Sequence, residues 1–261
     1  MAFHQVDSLR YYSFDIFADQ EVVHAIFTRR GGVSPLPWAE LNMGASVGDE
    51  INRVQENRRR AFHALGLDPA TLYDVYQVHS ADVVCADAPR RADYPHLRAD
   101  AILTDKPGVN LFMRFADCVP ILLYDPVRRV VGIAHAGWQG TVKKILVQTV
   151  RMMQERYHCR AEDIHAGIGP SIGSHHYQVG AEVVEQVTKA FGEDSFRVLS
   201  VNEHHTVQFD LWKANRLLLE KAGVKNIQVA SICTACCLED WYSHRGEKGK
   251  TGRFGALIGL G

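Results

Sequence analysis

The chain has 261 residues, of which 46% are apolar and 23% charged, and 29 basic against 30 acidic side chains leave a net charge of −1. A chain of this length buries enough surface to fold without a disulfide or metal staple, and it lacks the basic excess of nucleic-acid-binding proteins. No apolar run approaches the roughly 20 residues of a membrane-spanning helix, and the first residues do not have the pattern of a secretory signal. We therefore expect a cytoplasmic protein without nucleic-acid or membrane partners.

Apolar residues at three-to-four spacing predict four helices. They span Asp49–Gly66, Thr141–Tyr157, Ala181–Phe191 and Asp210–Gly223. The first has Gly66 at its end, and the fourth begins with Asp210 as an acidic N-cap. Their apolar stripes are typical of faces that pack against a core.

Short runs rich in β-branched residues and bounded by Gly, Pro or Asp predict the strands. The predicted strands are Val22–Thr28, Val75–Val84, Ala101–Leu103, Val109–Phe112, Val119–Tyr124, Val130–Ala134, Ile164–Ile168, Gln228–Ile232 and Ala256–Ile258. Strands and helices interleave without a strict strand–helix–strand rhythm, and we see neither an internal repeat nor a linker. The pattern predicts an α+β fold in which mixed β-sheets pack with helices, formed as a single domain over residues 1–261.

Two of the predicted strands flank a turn that begins at Asp125 and continues with Pro, a combination typical of β-turns. A turn over four residues pairs Tyr124 with Arg129 and places Cys118 opposite His135 at the open end of the hairpin. Directly opposed residues have Cβ atoms about 4.5–5.5 Å apart, close enough for Cys118 and His135 to share a metal ion or a proton. A Gly-rich turn and a helix follow His135, and amides at such a helix start are typical of anion sites.

A third candidate ligand, His79, lies in the predicted strand Val75–Val84. Two His and one Cys with an open fourth position form an arrangement that catalytic zinc uses. The separations of 39 and 17 residues match no local zinc motif, so the spacing alone does not select these three residues. A purely structural alternative stays open, in which Cys118 is a buried thiol and both histidines only support the fold.

Three loops contain further candidate residues. Thr28–Ser34 includes Arg29, which either binds an oxyanion or lies in a solvated turn. Ser243–Arg253 contains four cations, among them Arg245, and it either closes over a phosphate or is an ordinary charged loop. Gly167–Gly173 lacks the spacing of a nucleotide-binding glycine motif, so we predict a turn between a strand and a helix.

The six cysteines favour free thiols over a disulfide framework in a cytoplasmic chain of this size. Cys233 and Cys236 form a CxxC motif, but neither a second such motif nor a histidine pair lies at zinc-finger spacing. Structural thiols are the main prediction there, with a redox or zinc role as the alternative. The adjacent histidines at 175–176 and at 204–205 point to opposite sides of an extended chain, which predicts poor shared ligands.

Several sequence blocks, in order and over nearly the whole chain, match a known family. They are Thr28–Ser34, Val47-Gly48-Asp49 with Asn57-Arg58, Gln77-Val78-His79, Ala116-Asp117-Cys118-Val119-Pro120, His135-Ala136-Gly137-Trp138-Gln139-Gly140, Gly169–Gly173 and Thr251–Phe254. These blocks resemble the YfiH/YlmD family, also called the laccase-domain family. Two positions depart from its pattern: Ser171 stands where many relatives have Cys, and His244 where a Tyr is usual before Arg245.

The resemblance implies an unusual mixed α+β sandwich and a purine nucleoside phosphorylase. Such an enzyme cleaves adenosine, inosine, guanosine and methylthioadenosine with phosphate, and it also deaminates adenosine. The resemblance places the metal ligands, and with them the catalytic centre, at His79, Cys118 and His135, with zinc or copper as the metal. We expect Arg29 and Arg245, together with the amides after His135, to hold the phosphate, and a metal-activated water would account for the deamination.

Three other functions stay open as alternatives. Some relatives are called polyphenol oxidases, although the chain has no His-x-His pair of the kind that multicopper chemistry needs. A metal-free hydrolase would use Cys118 as nucleophile and His135 as base. Some relatives are linked to the editing of peptidoglycan precursors, a role that would leave nucleosides untouched.

Overall fold

The computed structural model describes residues 2–18, 21–91 and 93–261. Its helices are α1 (Ile51–Ala64), α2 (Trp138–Val142), α3 (Ile145–Tyr157), α4 (Ala181–Phe191), α5 (Ser195–Val198) and α6 (Leu211–Lys221). Its strands are β1 (Ala2–Val6), β2 (Leu9–Ser13), β3 (Val22–Phe27), β4 (Leu72–Tyr73), β5 (Val83–Cys85), β6 (Ala101–Thr104), β7 (Asn110–Phe115), β8 (Val119–Asp125), β9 (Val130–Ala136), β10 (His165–Ile168), β11 (Leu199–Val201), β12 (Val207–Phe209), β13 (Asn226–Val229) and β14 (Phe254–Leu260).

Two six-stranded sheets form the centre of the fold. The first has the order β1-β2-β3-β14-β7-β4 and the second the order β13-β10-β8-β9-β6-β5, while β11 and β12 pair separately. Both sheets are mixed, because the pairs β4–β7, β5–β6 and β10–β13 are parallel and the other pairs are antiparallel. The predicted α+β fold with mixed sheets is confirmed.

The two sheets pack face to face between layers of helices. Ile26 and Leu111 from the first sheet share an apolar core with Leu122 from the second. The other face of the second sheet, which includes Leu123, packs against α3 and α6, and the other face of the first sheet packs against α1. Both faces of β8 and β9 are covered, so all residues of these two strands are buried. This explains why their sequences are nearly continuous apolar runs.

The predicted helices agree with those of the structure, with one exception. The prediction over Ala181–Phe191 is confirmed, and Asp210 caps α6 by accepting a hydrogen bond from the backbone N–H of Lys213. The continuous helix predicted over Thr141–Tyr157 is wrong. Lys144 has a left-handed backbone with a φ of 62° and separates α2 from α3.

The strand predicted over Val75–Val84 is also wrong, because only its end forms β5. Residues 77–82 form a loop in which the backbone N–H groups of Val78 and Ser80 bind the Asp100 carboxylate instead of a neighbouring strand. His79 between them has a φ of 57°, a left-handed conformation that a strand does not contain. Strands β1, β2, β4, β11 and β12 and helix α5 were not predicted from the sequence.

The register predicted for the β8–β9 hairpin is wrong by two residues. Asp125 pairs with Val130, so the four residues 126–129 form the connection, and His135 faces Pro120 rather than Cys118. The Asp125 side chain accepts hydrogen bonds from the first backbone N–H groups of this connection, at Val127 and Arg128, so the four-residue turn starts one residue later than predicted. None of the helices in the described ranges combines the length and apolar character needed to span a bilayer.

Candidate active site and metal centre

The structure brings His79, Cys118 and His135 together, although they come from three different segments. Their candidate ligand atoms all lie within 4.8 Å of one another, and the Cys118 Sγ is 3.9 Å from the His79 Nε2. Cys118 directly precedes β8 and His135 lies near the end of β9. Because side chains alternate along a strand, a register error of two residues leaves Cys118 and His135 on the same face as diagonal neighbours.

Gly137 makes this close approach possible. A Cβ atom at this position would lie 2.7 Å from the Cys118 Sγ and 3.3 Å from the His79 Cδ2. The backbone of Gly137 has a φ of −72°, which any residue adopts, so the requirement for glycine here comes from space alone. The glycine after His135-Ala136 is therefore part of the site.

Asp100 connects the two histidines. One of its carboxylate oxygens lies 2.8 Å from the Nδ1 of His135, and the other accepts hydrogen bonds from Val78 and Ser80, on either side of His79. A histidine that donates from Nδ1 to a carboxylate keeps its Nε2 free as a ligand. Burial would raise the pKa of Asp100, but the hydrogen bond and charge of His135 lower it to about 2.

Cys118 and His135 stabilise each other's charged forms. Burial alone would raise the pKa of the Cys118 thiol, but the charge of His135 and the hydrogen bonds from both histidines lower it to about 6. Burial would lower the pKa of His135, but the Cys118 thiolate and Asp100 raise it to about 9. Without a metal, the site therefore holds a thiolate beside an imidazolium near neutral pH.

The donor set fits a metal ion such as zinc. It combines one thiolate sulfur with two imidazole nitrogens, all ligand types that zinc accepts. His135 is buried, Cys118 is partly buried and His79 is exposed, so the cluster is open to solvent on one side. Three protein ligands with one open side are typical of catalytic rather than structural zinc.

Asp117, directly before Cys118, holds the neighbouring loops against the site. Its carboxylate accepts hydrogen bonds from the Thr234 hydroxyl at 2.7 Å and from the backbone N–H of Arg245 at 2.6 Å, and its carbonyl accepts one from Ile172. Its φ of 77° is unusual for a residue other than glycine. Asp117 lies in one of the family blocks, but no role was predicted for it from the sequence.

Arg245 lies on the exposed side of this arrangement. Its guanidinium donates to the carbonyl of Gln178 at 3.1 Å and lies 5.4 Å from the centre of the Tyr177 ring. Tyr177 is close enough to Cys118 to be affected by its charge, since burial and then the thiolate raise the pKa of the phenol. Arg245 is thus linked to the cluster through Asp117 and Tyr177, and its predicted contact with phosphate stays a prediction.

Arg253 is a candidate that the sequence analysis did not single out. Burial lowers the pKa of its guanidinium, and the charges of Cys118 and Asp117 oppose that effect. Its position in the Thr251–Phe254 block was the available signal.

The side-chain contacts of Arg29 differ from those of Arg245. Its guanidinium donates to the carbonyls of Ala39 and Leu238 and forms an ion pair with Glu247 at 3.0 Å. These contacts tie the loop Thr28–Ser34 to the C-terminal loop. They support a positioning role for Arg29, and its predicted contact with phosphate stays a prediction.

A family model described as multi-copper polyphenol oxidoreductase laccase matches residues 23–261. The chain belongs to this laccase-domain family. It is 42% identical to a purine nucleoside phosphorylase of Deinococcus radiodurans, covering 92% of this chain and 89% of that protein. It is 38% identical to the purine nucleoside phosphorylase YlmD of Geobacillus stearothermophilus, covering 91% and 89%.

The structural comparison agrees with the laccase-domain assignment. The crystal structure of the hypothetical protein YfiH of Bacillus licheniformis superposes with a TM-score of 0.92 at 34% identity, covering 99% of each chain. The resemblance to the YfiH/YlmD family is confirmed.

A second cluster of ligand side chains lies outside the predicted site. His175, His176, Cys233 and Cys236 also have candidate ligand atoms within 4.8 Å of one another. The expectation that adjacent histidines make poor shared ligands is wrong for His175 and His176, because residues 174–176 form a 3₁₀ turn rather than an extended strand.

Proposed function

We propose that this laccase-domain protein is a purine nucleoside phosphorylase. The support is its identity of 42% and 38% with curated relatives of that name over about nine tenths of the chain. The observation that supports this activity is the cluster of His79, Cys118 and His135, which lies within the region matched by the family. In the reaction, a phosphate oxygen forms a bond to C1′ of the sugar while the bond from C1′ to the purine nitrogen breaks. The products are a sugar 1-phosphate and a purine that takes up a proton.

The same three residues are the proposed metal ligands, with zinc as the first candidate and copper as the second. When bound, the ion would supply Lewis-acid chemistry at an open coordination position. Asp100 holds the Nδ1 proton of His135 and fixes the loop of His79. The chain itself therefore orients both imidazole ligands before a metal binds.

We assign the phosphate to Arg245, with Arg253 as the second cation. The Arg245 guanidinium is exposed and has donors to spare after its one bond to Gln178. A guanidinium binds a phosphate with two parallel hydrogen bonds. Arg29 supports this arrangement through Glu247, in the same loop as Arg245.

Several finer features belong to the same proposal. The site accepts adenosine, inosine, guanosine and methylthioadenosine, and it deaminates adenosine. The six cysteines are free in the structure, which fits a reducing, cytoplasmic environment. We also propose that residues 1–261 form one domain, and the core shared by the two sheets supports this.

One observation favours a second candidate function. The pKa of Cys118 near 6 and that of His135 near 9 describe an activated thiolate beside a protonated base. That pair is what a metal-free Cys–His hydrolase uses. A hydrolase would release the free sugar or acid product without phosphate.

The test is a product screen on the purified, zinc-loaded protein. Each purine nucleoside is incubated with and without phosphate, and the products are identified by mass spectrometry. We expect a free purine and a sugar 1-phosphate that form only with phosphate, and inosine from adenosine in either condition. His79→Ala should abolish both reactions, with the exposed His63→Ala as control. Phosphate-independent release of free ribose would contradict the proposal.

A further inference from the structure

We propose that His175, His176, Cys233 and Cys236 form a second metal site, a closed structural zinc site beside the catalytic cluster. The site does not depend on the proposed function. Its donor set of two thiolates and two imidazoles is a common one for structural zinc. Unlike the first cluster, it offers four protein ligands, so no coordination position is left for a substrate.

The donor atoms all lie within 4.8 Å of one another, and three of their distances are close to those of a tetrahedral zinc site. The Cys236 Sγ is 3.1 Å from the His175 Nε2 and 3.5 Å from the His176 Nδ1, and the Cys233 Sγ is 3.6 Å from the same Nδ1. A tetrahedron with ordinary zinc–sulfur and zinc–nitrogen bonds has donor–donor distances of about 3.4–3.8 Å. Only small shifts of the side chains are needed for all four to reach one ion.

Two turns bring the four ligands together. Residues 174–176 form a 3₁₀ turn, and the N–H of Cys236 binds the carbonyl of Cys233, which closes the CxxC loop. The backbone N–H of Gly173 donates to the Cys233 Sγ at 3.2 Å. A bond of this kind stabilises a thiolate and is a frequent second layer around metal ligands.

Gly173 also leaves the space that His175 occupies. A Cβ atom at Gly173 would lie 2.6 Å from the His175 Cε1 and 3.3 Å from the Cys233 Cβ. Its φ of −74° suits any residue, so glycine is needed here for space rather than for conformation. Gly137 has the same role in the first cluster.

The second cluster is attached to the wall of the catalytic site. Thr234, within the CxxC loop, donates its hydroxyl hydrogen to Asp117, the neighbour of Cys118. Tyr177, which stacks with Arg245, follows His176 in the chain. A metal that joins the two turns would therefore fix the segments that carry Thr234 and Tyr177.

The principal alternative is a redox role for Cys233 and Cys236 as a reversible disulfide. The structure has both thiols free. It also places each of them beside a histidine nitrogen, at 3.1 Å and 3.6 Å. A disulfide would join the two sulfurs and would not involve the two imidazoles, whereas a metal ion would bind all four groups.

The test counts zinc per chain in protein purified with a reductant and without chelators. We expect two zinc ions in the wild type and one in Cys118→Ser. The double variant Cys233→Ser with Cys236→Ser should also hold one. Cys237→Ser, which alters the neighbouring thiol outside the cluster, should keep two. Two zinc ions in a folded double variant, or none in Cys118→Ser, would overturn the proposal.

A second measurement covers the case in which the double variant does not fold. Cys118→Ser protein is loaded with Co²⁺, so that only the second cluster can bind with thiolates. We expect intense near-ultraviolet absorption from thiolate–cobalt charge transfer, and protection of two thiols from alkylation. Absence of that absorption, or a Cys233–Cys236 disulfide in peptides from freshly isolated protein, would contradict the site.

Discussion

The two histidine–cysteine clusters differ in what holds them. Cys118 and His135 of the first cluster lie at the ends of paired central strands, and a buried carboxylate, Asp100, orients His135. The second cluster lies on two short turns, where His175 and Cys236 are exposed. The first is built into the sheet with three donors and an open side. The second uses four donors from loops, so the metal itself would supply the rigidity that the backbone lacks.

This difference separates two uses of the same ligand types. Preorganised ligands and an open position are what a reacting centre needs, because the geometry must exist before the substrate arrives. A closed site on loops can only stabilise the structure around it. Changes in the first cluster should therefore remove activity, and changes in the second should act mainly on stability and loop order.

The largest effect is expected from Cys118→Ser. A serine oxygen is a poorer zinc ligand than a thiolate, so the first cluster should lose its metal. The loss in kcat/KM should exceed the roughly 100-fold typical of changes in the residues around a metal site. Cys85→Ser, which changes a partly buried thiol outside both clusters, is the control and should retain activity. Full activity of metal-free Cys118→Ser protein would contradict the assignment.

In the metal-free protein, the pH dependence of the alkylation rate should differ between the thiols of the two clusters. The pKa of Cys118 is about 6, so its thiolate forms as pH rises through 6 and its reaction with iodoacetamide should be half-maximal there. Burial and the neighbouring Cys233 raise the pKa of Cys236 above its ordinary value, so its rate should still be rising above pH 9. Mass spectrometry of the two peptides gives both profiles. Zinc should suppress both reactions, and a Cys118 midpoint near pH 9 would contradict the charge pairing.

Two glycine substitutions should each disrupt one of the two clusters. Gly137→Ala places a methyl group against Cys118, and we expect a roughly 10–100-fold loss of metal affinity and activity at the first cluster. Gly173→Ala should instead displace His175 and release zinc from the second cluster, with most activity retained. Gly180→Ala is the control, because nothing lies within 4 Å of its Cβ position. If both substitutions lowered activity equally, the clusters would not be functionally distinct.

The smallest effects are expected from the two arginines. Arg245→Ala should raise the KM for phosphate at least about tenfold, because it removes the charge-assisted hydrogen bonds of the guanidinium, with a smaller effect on adenosine deamination. Arg29→Ala removes the ion-pair partner of the Glu247 carboxylate, which keeps its hydrogen bonds from Ser243 and Thr251. It should destabilise the fold by about 1–3 kcal/mol, measured by urea denaturation. An equal loss of phosphorolysis and deamination in Arg245→Ala would count against the phosphate contact.

The pairing of Cys118 with His135 was predicted for a reason that survives an error of detail, whereas the full set of three ligands came from the family resemblance. The hairpin register was wrong by two residues, yet Cys118 and His135 stay on one face because side chains alternate with a period of two. The position of His79 was not predictable from periodicity. It depends on Asp100, whose carboxylate replaces strand pairing in the loop around His79.

The second cluster was only half predictable from the sequence. Cys233 and Cys236 were singled out as a CxxC motif with zinc as one alternative, but their histidine partners were not. His175 and Cys236 are 61 residues apart and share no motif. The extended conformation assumed for the two histidines would separate their rings, and only the 3₁₀ turn brings them together. Long-range pairing of loops is a property of the folded chain and leaves little local signal.

The most direct test of this difference between the two clusters is anomalous diffraction at the zinc edge from crystals of the purified protein. We predict two peaks, one surrounded by His79, Cys118 and His135 with an open side, and one enclosed by four protein ligands at residues 175, 176, 233 and 236. A map with no peak at the first cluster, or with a fourth protein ligand closing it, would contradict the account.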